Sequence, residues 1–192
     1  MIKAALNFLK SHGSQILWVF SFSVFLVSEG LTANLNASVN VINTATLDMG
    51  GLSTFAFPNI NYANFGSQDQ QSFSSVKAYS NSTTLHLSMT SNTPSDASGN
   101  PQLQDSASPP NLIPYTVSYQ PCYQPGKQAV PPTLALTTNS PVLIPTPYSY
   151  SSACSSVPGG IPGVLSFTRL SLSILPPAGL YTNILTFTVT EP

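Results

Sequence analysis

The sequence predicts an all-β protein, an antiparallel sandwich or barrel of about seven or eight strands. Apolar residues recur at every second position in several segments, which is the period of a half-buried strand. Stretches rich in glycine and proline separate these segments, and no convincing amphipathic helix pattern follows the first 33 residues. Short strands with this punctuation are typical of sandwiches and barrels.

The N-terminal segment, residues 1–33, is predicted to be a secretory signal peptide. Lys3 and Lys10 supply its positive start, and the 12-residue run Ile16–Val27 carries no charge. A comfortable transmembrane helix needs about 20 apolar residues, so this core is short for a span. An uncleaved N-terminal anchor is the alternative. No second hydrophobic run follows, so no membrane contact is expected after cleavage.

The mature chain, residues 34–192, is expected to form one domain that begins with a strand over residues 34–42. Leu35, Ala37, Val39 and Val41 fall on one face of that strand, and asparagine and serine residues fall on the other.

Seven further segments show strand patterns. They are Ser53–Phe57, Phe73–Tyr79, Thr83–Thr90, Ile113–Tyr119, Thr133–Thr138, Val164–Ile174 and Tyr181–Thr190. The alternation in Val164–Ile174 changes phase near Arg169, which predicts a bulge. The proline-rich stretches 92–110, 121–132 and 141–163 are predicted to be surface loops.

Charged residues are scarce. They make up 6% of the chain, against about 25% in an ordinary globular protein. With five lysines and arginines and a formal net charge of −1, the chain has no basic patch for phosphates, so nucleic-acid binding is not expected. A surface of hydroxyls and amides carries little charge repulsion and suits a protein that sits against copies of itself.

The chain holds two cysteines, Cys122 and Cys154. Export into an oxidising compartment would pair them, and a bridge of this span contributes roughly 3–4 kcal/mol in the chain-entropy account. Free thiols or an intermolecular bridge are the alternatives. Without nearby histidines, two cysteines do not make a zinc site.

No motif for catalysis, cofactor binding or a metal stands out. His86 is the single histidine of the mature region, and the spacing of the few acids selects no partner for it. The loop that contains Asp96 and Asp105 offers oxygen ligands of the kind calcium accepts, but a plain proline-rich loop is the simpler interpretation. We therefore expect no enzyme activity and no cofactor.

Tyrosines crowd the region around the cysteines. They are Tyr115, Tyr119, Tyr123, Tyr148 and Tyr150. Exposed rings could build a protein interface or stack on sugars, whereas buried rings would simply pack in the core. All three interpretations stay open at this point.

The C-terminal run 177–190 has the pattern of a turn followed by a final strand. Pro177, Gly179, Tyr181, Leu185 and Val189 occupy its key positions. This run resembles the closing strand of the spore coat protein U-like family, which includes subunits of archaic chaperone–usher pili. The leader followed by an alternating strand is similar too, whereas the positions of the cysteines and the proline-rich middle differ from that family.

The resemblance implies an Ig-like or pilin-like sandwich that lacks one strand. A neighbouring subunit would fill the open groove with its N-terminal strand, by β-strand addition. Leu35, Ala37, Val39 and Val41 would then be the side chains that enter the groove. The implied partners are copies of the protein or related subunits, together with a periplasmic chaperone and usher.

These observations favour an exported structural or adhesive subunit of a surface appendage or coat. A monomeric extracellular binding module that uses the tyrosines, with glycans as one candidate ligand, is the second hypothesis. A secreted hydrolase with no recognisable motif is the third.

The first prediction concerns the leader. The intact mass of the exported protein from its native host should place the mature N-terminus near residues 31–34, because small residues such as Gly30 and Ala33 follow the apolar run. Retention of Met1 on the exported chain would contradict a cleaved leader.

Overall fold

Ten β-strands and no helix make up the part of the chain that the structure, a computed structural model, describes: residues 45–80, 84–145, 148 and 159–191. These residues belong to one unit of the chain, Asn43–Pro192. The strands are β1 (Ala45–Asp48), β2 (Asp69–Phe73), β3 (Lys77–Ser80), β4 (Leu85–Ser91), β5 (Gln102–Gln104), β6 (Leu112–Gln120), β7 (Leu134–Leu136), β8 (Val142–Ile144), β9 (Val164–Arg169) and β10 (Leu185–Thr190). Within those ranges no helix capable of crossing a membrane was found.

The strands form two main sheets and one short pair. One sheet has the order β10-β4-β8, and the other has the order β2-β9-β6-β5 with β7 also paired to β6. β1 and β3 make a separate two-stranded sheet. Each pairing between these named strands is antiparallel.

The core forms where the apolar faces of the two main sheets meet. Alternate residues of β6 and β9 are buried, and so are Leu85, Leu87 and Met89 of β4. Because side chains of a strand point to opposite faces in turn, the period seen in the sequence gives each sheet one apolar face. Most of these residues, including Tyr115, Val117 and Tyr119 of β6 and Leu165 and Phe167 of β9, belong to one hydrophobic cluster. The predicted all-β antiparallel fold is confirmed.

A buried arginine lies at the end of β9. The alternation of β9 carries Arg169 inward, where its side chain is fully buried and forms an ion pair with Asp69 of β2. Its Nη1 donates to the carbonyls of Leu170 (3.2 Å) and Phe65 (3.4 Å), and its Nη2 donates to that of Asn64 (3.2 Å). A guanidinium in the interior needs several acceptors, and these oxygens supply them. Arg169 thus joins the 61–65 turn to the sheet.

Several predicted elements differ from the structure. Phe73–Tyr79 is not one strand, because a turn at Ser74 and Ser75 separates β2 from β3, and the alternation changes phase between Phe73 and Val76. Ser53–Phe57 is not a strand, and β9 ends at Arg169 where the bulge was expected. Two predicted loops contain the short strands β5 and β8. The predicted strand 34–42 and the leader lie outside the described residues.

The core is unequally covered. In the pairing of β4 with β10, Met89 lies opposite Phe187 and Leu87 lies opposite Val189. The β4 residues are 0–1% exposed, whereas the inner face of β10 is only half-buried along its whole length. One side of the sandwich therefore buries its apolar face incompletely.

This inequality predicts a difference between two leucines. Leu87→Ala should lower the free energy of unfolding by about 2–5 kcal/mol, because it leaves a cavity in the closed part of the core. Leu185→Ala, at a half-buried site, should cost about half as much or less. Urea unfolding of the monomer measures both, and equal losses would contradict an incompletely covered side.

Candidate strand-accepting groove

An apolar groove of about 1030 Å³ runs along the inner side of β10. One wall, termed the β10 wall, consists of residues 180–187. The other, termed the facing wall, consists of residues 49–60. Tyr115 of β6 and Phe167 of β9 lie between the walls and form the floor. The groove therefore lies over the incompletely covered part of the core.

Aromatic rings fix the facing wall onto the floor. The ring of Phe55 stacks on that of Phe167 with 4.0 Å between centroids. Phe57 meets Tyr115 edge-on at 5.7 Å, and Phe55 and Phe57 meet each other edge-on at 5.3 Å. Such pairs are favourable beyond the area they bury. The alternation that predicted a strand over 53–57 thus reflects rings that enter the core from a segment without sheet pairing.

The facing wall leaves β1 through a tight turn. The carboxylate of Asp48 accepts a hydrogen bond from the main-chain N–H of Gly50 at 2.8 Å. Gly50 and Gly51 both have positive φ values, 60° and 82°, which side-chain-bearing residues rarely adopt. A Cβ at Gly50 would also lie 2.3 Å from the Cβ of Ser75. The two glycines therefore direct the chain from β1 into the facing wall.

Both walls have main-chain groups that the described chain leaves unused. Within the described ranges, β10 pairs with β4 alone, so its other edge has no ladder partner there. Residues 53–60 have no strand pairing, and none of their backbone groups bonds to another described backbone group. An extended segment placed between the walls could bond to both of them.

The start of the β10 wall is held by side-chain and main-chain hydrogen bonds. Nδ2 of Asn183 donates to the hydroxyl of Tyr115 at 2.9 Å, and Oδ1 of Asn92 accepts from the N–H of Ile184 at 2.7 Å. Gln104 and Thr182 exchange two main-chain bonds of 2.9 Å each. Burial raises the pKa of the Tyr115 hydroxyl, so it stays neutral on the groove floor.

The structure buries three of the five tyrosines, which at those positions favours core packing among the three interpretations. Tyr115 and Tyr119 are 1% exposed and Tyr148 is 7% exposed. Alternate positions of β6 face inward, which places the first two in the core and makes a surface role for them wrong. Burial raises the pKa of Tyr119 to about 12. Tyr123 is half-buried, and Tyr150 lies outside the described residues.

Polar residues considered at the sequence level do not converge. His86 is partly exposed on the outer face of β4, opposite Leu143 and Thr190. Among the residues with described positions, no group of three or more His, Cys, Asp or Glu could hold a metal ion. The described histidine and acidic side chains that were considered as sites therefore lie apart from one another.

The two loop acids accept hydrogen bonds from their own loops. The carboxylate of Asp96 accepts from Ser98 N, Asn100 N and Asn100 Nδ2, all at 2.8–2.9 Å. Partial burial acts to raise the Asp96 pKa, but these hydrogen bonds lower it overall. Asp105 is held in the same way by Asn111, whose side chain lowers the Asp105 pKa. Carboxylates that accept several N–H groups stabilise loops, so a plain loop accounts for both acids.

The remaining predicted site residues fall partly outside the described chain. Cys122 is buried, whereas its predicted partner Cys154 lies outside the described residues. Leu35, Ala37, Val39 and Val41, the predicted subunit-linking residues, also lie outside them. Both assignments stay predictions.

Comparison with known proteins yields a distant structural likeness. No family model matches this chain, and no curated protein matches it. A chain from a solved structure described as a chaperone–tip adhesin complex of CFA/I fimbriae is similar, with a TM-score of 0.48 and 19% identity. The match covers 77% of this chain and 41% of that one, so this chain spans less than half the length of the protein it matches.

The cysteine prediction can be tested chemically. If Cys122 and Cys154 are bridged, thiol labelling of the non-reduced protein in denaturant should find no reactive cysteine. Denaturant is needed because Cys122 is buried in the native fold. Labelling of both cysteines would contradict the bridge, and a dimer on a non-reducing gel would favour the intermolecular alternative.

Proposed function

We propose that this protein is an exported structural or adhesive subunit that assembles by β-strand addition. In this proposal the groove accepts the N-terminal strand 34–42 of a neighbouring copy. The observation that carries the proposal is the groove itself, which combines an apolar lining, half-buried along β10, with two backbone walls whose donors and acceptors the described residues leave partly unused. β-strand addition uses those two features, main-chain bonds for affinity and side-chain pockets for register.

The dimensions of strand and groove agree. At about 3.3 Å per residue, a strand over residues 34–42 extends roughly 30 Å, enough to run beside β10 and the segment that precedes it. Leu35, Ala37, Val39 and Val41 would face the floor, and the asparagine and serine residues would face outward. Full burial of each larger aliphatic side chain contributes about 1.5–3 kcal/mol. The added strand would thus complete the core on its open side.

An open groove also explains why helper proteins belong to the proposal. A free strand edge beside exposed apolar surface is an aggregation hazard. A periplasmic chaperone that lends a strand, and an usher that exchanges it for the next subunit, would protect the groove before assembly. Related subunits could substitute for identical ones, and the assembled protein would lie at the cell surface.

The competing functions have less support. A glycan-binding module was inferred from the tyrosines, and three of the five are buried. A hydrolase needs groups that converge on a cleft, whereas the described residues that line the groove are largely apolar and include Arg169 but no histidine or acid. A non-enzymatic, assembling subunit accounts for the groove without further assumptions.

The proposal predicts opposite effects for two neighbouring substitutions in the linking strand. Val39→Asp would place a charge in the apolar groove and should abolish polymers while the monomer remains folded. Ser38→Asp introduces the same charge on the outward face and should leave polymer formation largely intact. Electron microscopy and analytical ultracentrifugation measure polymer content, and circular dichroism measures folding.

Either of two results would contradict the donor-strand proposal. One is polymer formation by Val39→Asp at the level of the unmodified protein. The other is unfolding of the isolated Val39→Asp domain, since residues 34–42 would then be an ordinary strand of their own core.

A further inference from the structure

Three aliphatic side chains form an exposed patch on the outer side of the β10 wall. Leu180 is 82% exposed, Ile184 is 67% exposed and Leu112 is 37% exposed. Gln104 pairs with Leu112 on one side and with Thr182 on the other, which brings the three strands side by side. Large aliphatic groups held together at the surface are typical of an interaction site.

The patch and the groove share one segment of chain. Burial alternates along residues 180–185, with Tyr181, Asn183 and Leu185 on the more buried side. Leu180, Thr182 and Ile184 are the exposed positions between them. The segment therefore turns one face to the groove and the other to solvent, and the patch lies directly beside the start of β10.

The length of the linking strand's tether fixes where a neighbouring subunit must lie. Only Asn43 and Thr44 separate residues 34–42 from β1, so the donor's β1 begins about 10 Å from the end of its donated strand. Antiparallel pairing with β10 is the slightly more stable arrangement. In that arrangement the strand runs opposite to β10, and its end lies beside the segment that precedes Leu185.

We propose that the Leu112–Leu180–Ile184 patch is a second contact between subunits, covered by the folded body of the copy whose strand fills the adjacent groove. The inference rests on the proposed function. A second copy is the favoured occupant because the tether delivers its body to this end of the groove. The patch residues, Gln104 and Thr182 are uncharged and so add no charge repulsion to the contact, and the carboxylate of the adjacent Asp105 bonds to Asn111 of its own loop. Strand and patch would together fix the angle between successive subunits.

The test separates the patch from the groove. The double variant Leu180→Ser/Ile184→Ser should weaken self-association by about tenfold or more, because it removes two exposed aliphatic groups from the contact. Val130→Ser removes a comparably exposed side chain, 63% exposed, from another loop and should leave self-association unchanged. Sedimentation of the full mature chain over a concentration series measures both.

Groove function is measured separately with a labelled synthetic peptide of sequence Asn34–Ile42. The acceptor is the Val39→Asp chain, whose own strand cannot be donated. Adding Leu112→Ser to that acceptor should leave peptide capture unchanged. If the acceptor without patch substitutions captures no peptide, the proposed function itself fails.

Unchanged self-association of Leu180→Ser/Ile184→Ser would overturn the patch proposal while leaving strand addition in place. If the double variant also loses peptide capture, Leu112→Ser decides, because Leu112 is on β6 and not part of the groove lining. Reduced self-association of Leu112→Ser with normal capture supports the proposal, and normal self-association overturns it.

Discussion

The pairing of β10 with a single described neighbour is the constraint on which the rest of the architecture depends. β4 lies between β10 and β8 and is buried completely on its inner face, while β10 lies at the margin and is buried by half. If the inner face of β10 were covered as completely as that of β4, no groove would remain beside it. Here the facing wall supplies aromatic rings to the core but no backbone bonds to β10, so burial on this side proceeds without a sheet. Both the main-chain groups that the described residues leave unpaired along β10 and the partial burial of β10 follow from its having one described strand beside it.

Period-2 alternation was sufficient to predict the central strands. It located β4, β6 and β10 closely because each has one face in the core and one in solvent. The alternation pattern gave wrong predictions where apolar alternation does not coincide with strand pairing. Across Phe73–Tyr79 the apolar residues before and after the turn fall in different phases, and over Ser53–Phe57 the pattern reflects rings that pack without a ladder. β5 and β8 are short strands within proline-rich stretches, where turn-forming composition concealed them. Neither alternation nor composition reports which strands become neighbours, so the groove could be inferred only through a family resemblance.

The candidate site residues show the same limit. The tyrosines were identified as a cluster, but the choice between core and surface depends on which face of β6 meets the opposite sheet, and that is a long-range property. In the sequence, Arg169 marked only the point at which the apolar alternation of Val164–Ile174 changes phase. The signal that could have identified it is its place in the inward register of β9, where a charged residue requires a buried partner. That partner, Asp69, is 100 residues away in the chain, and sequence spacing gives no hint of it.

Arg169 has a further consequence for how the chain selects its own pairing. A guanidinium cannot shed its proton inside the protein, so every wrong arrangement that buries it without acceptors is strongly disfavoured. If β2 slipped by one residue against β9, Asp69 would move to the opposite face and the cation would lose its carboxylate. The neighbouring serine and glutamine side chains of β2 would tolerate such a slip, since they are alike in polarity. The ion pair, together with the packing of Phe73 on Phe167, therefore makes the observed alignment of these two distant strands the least costly one.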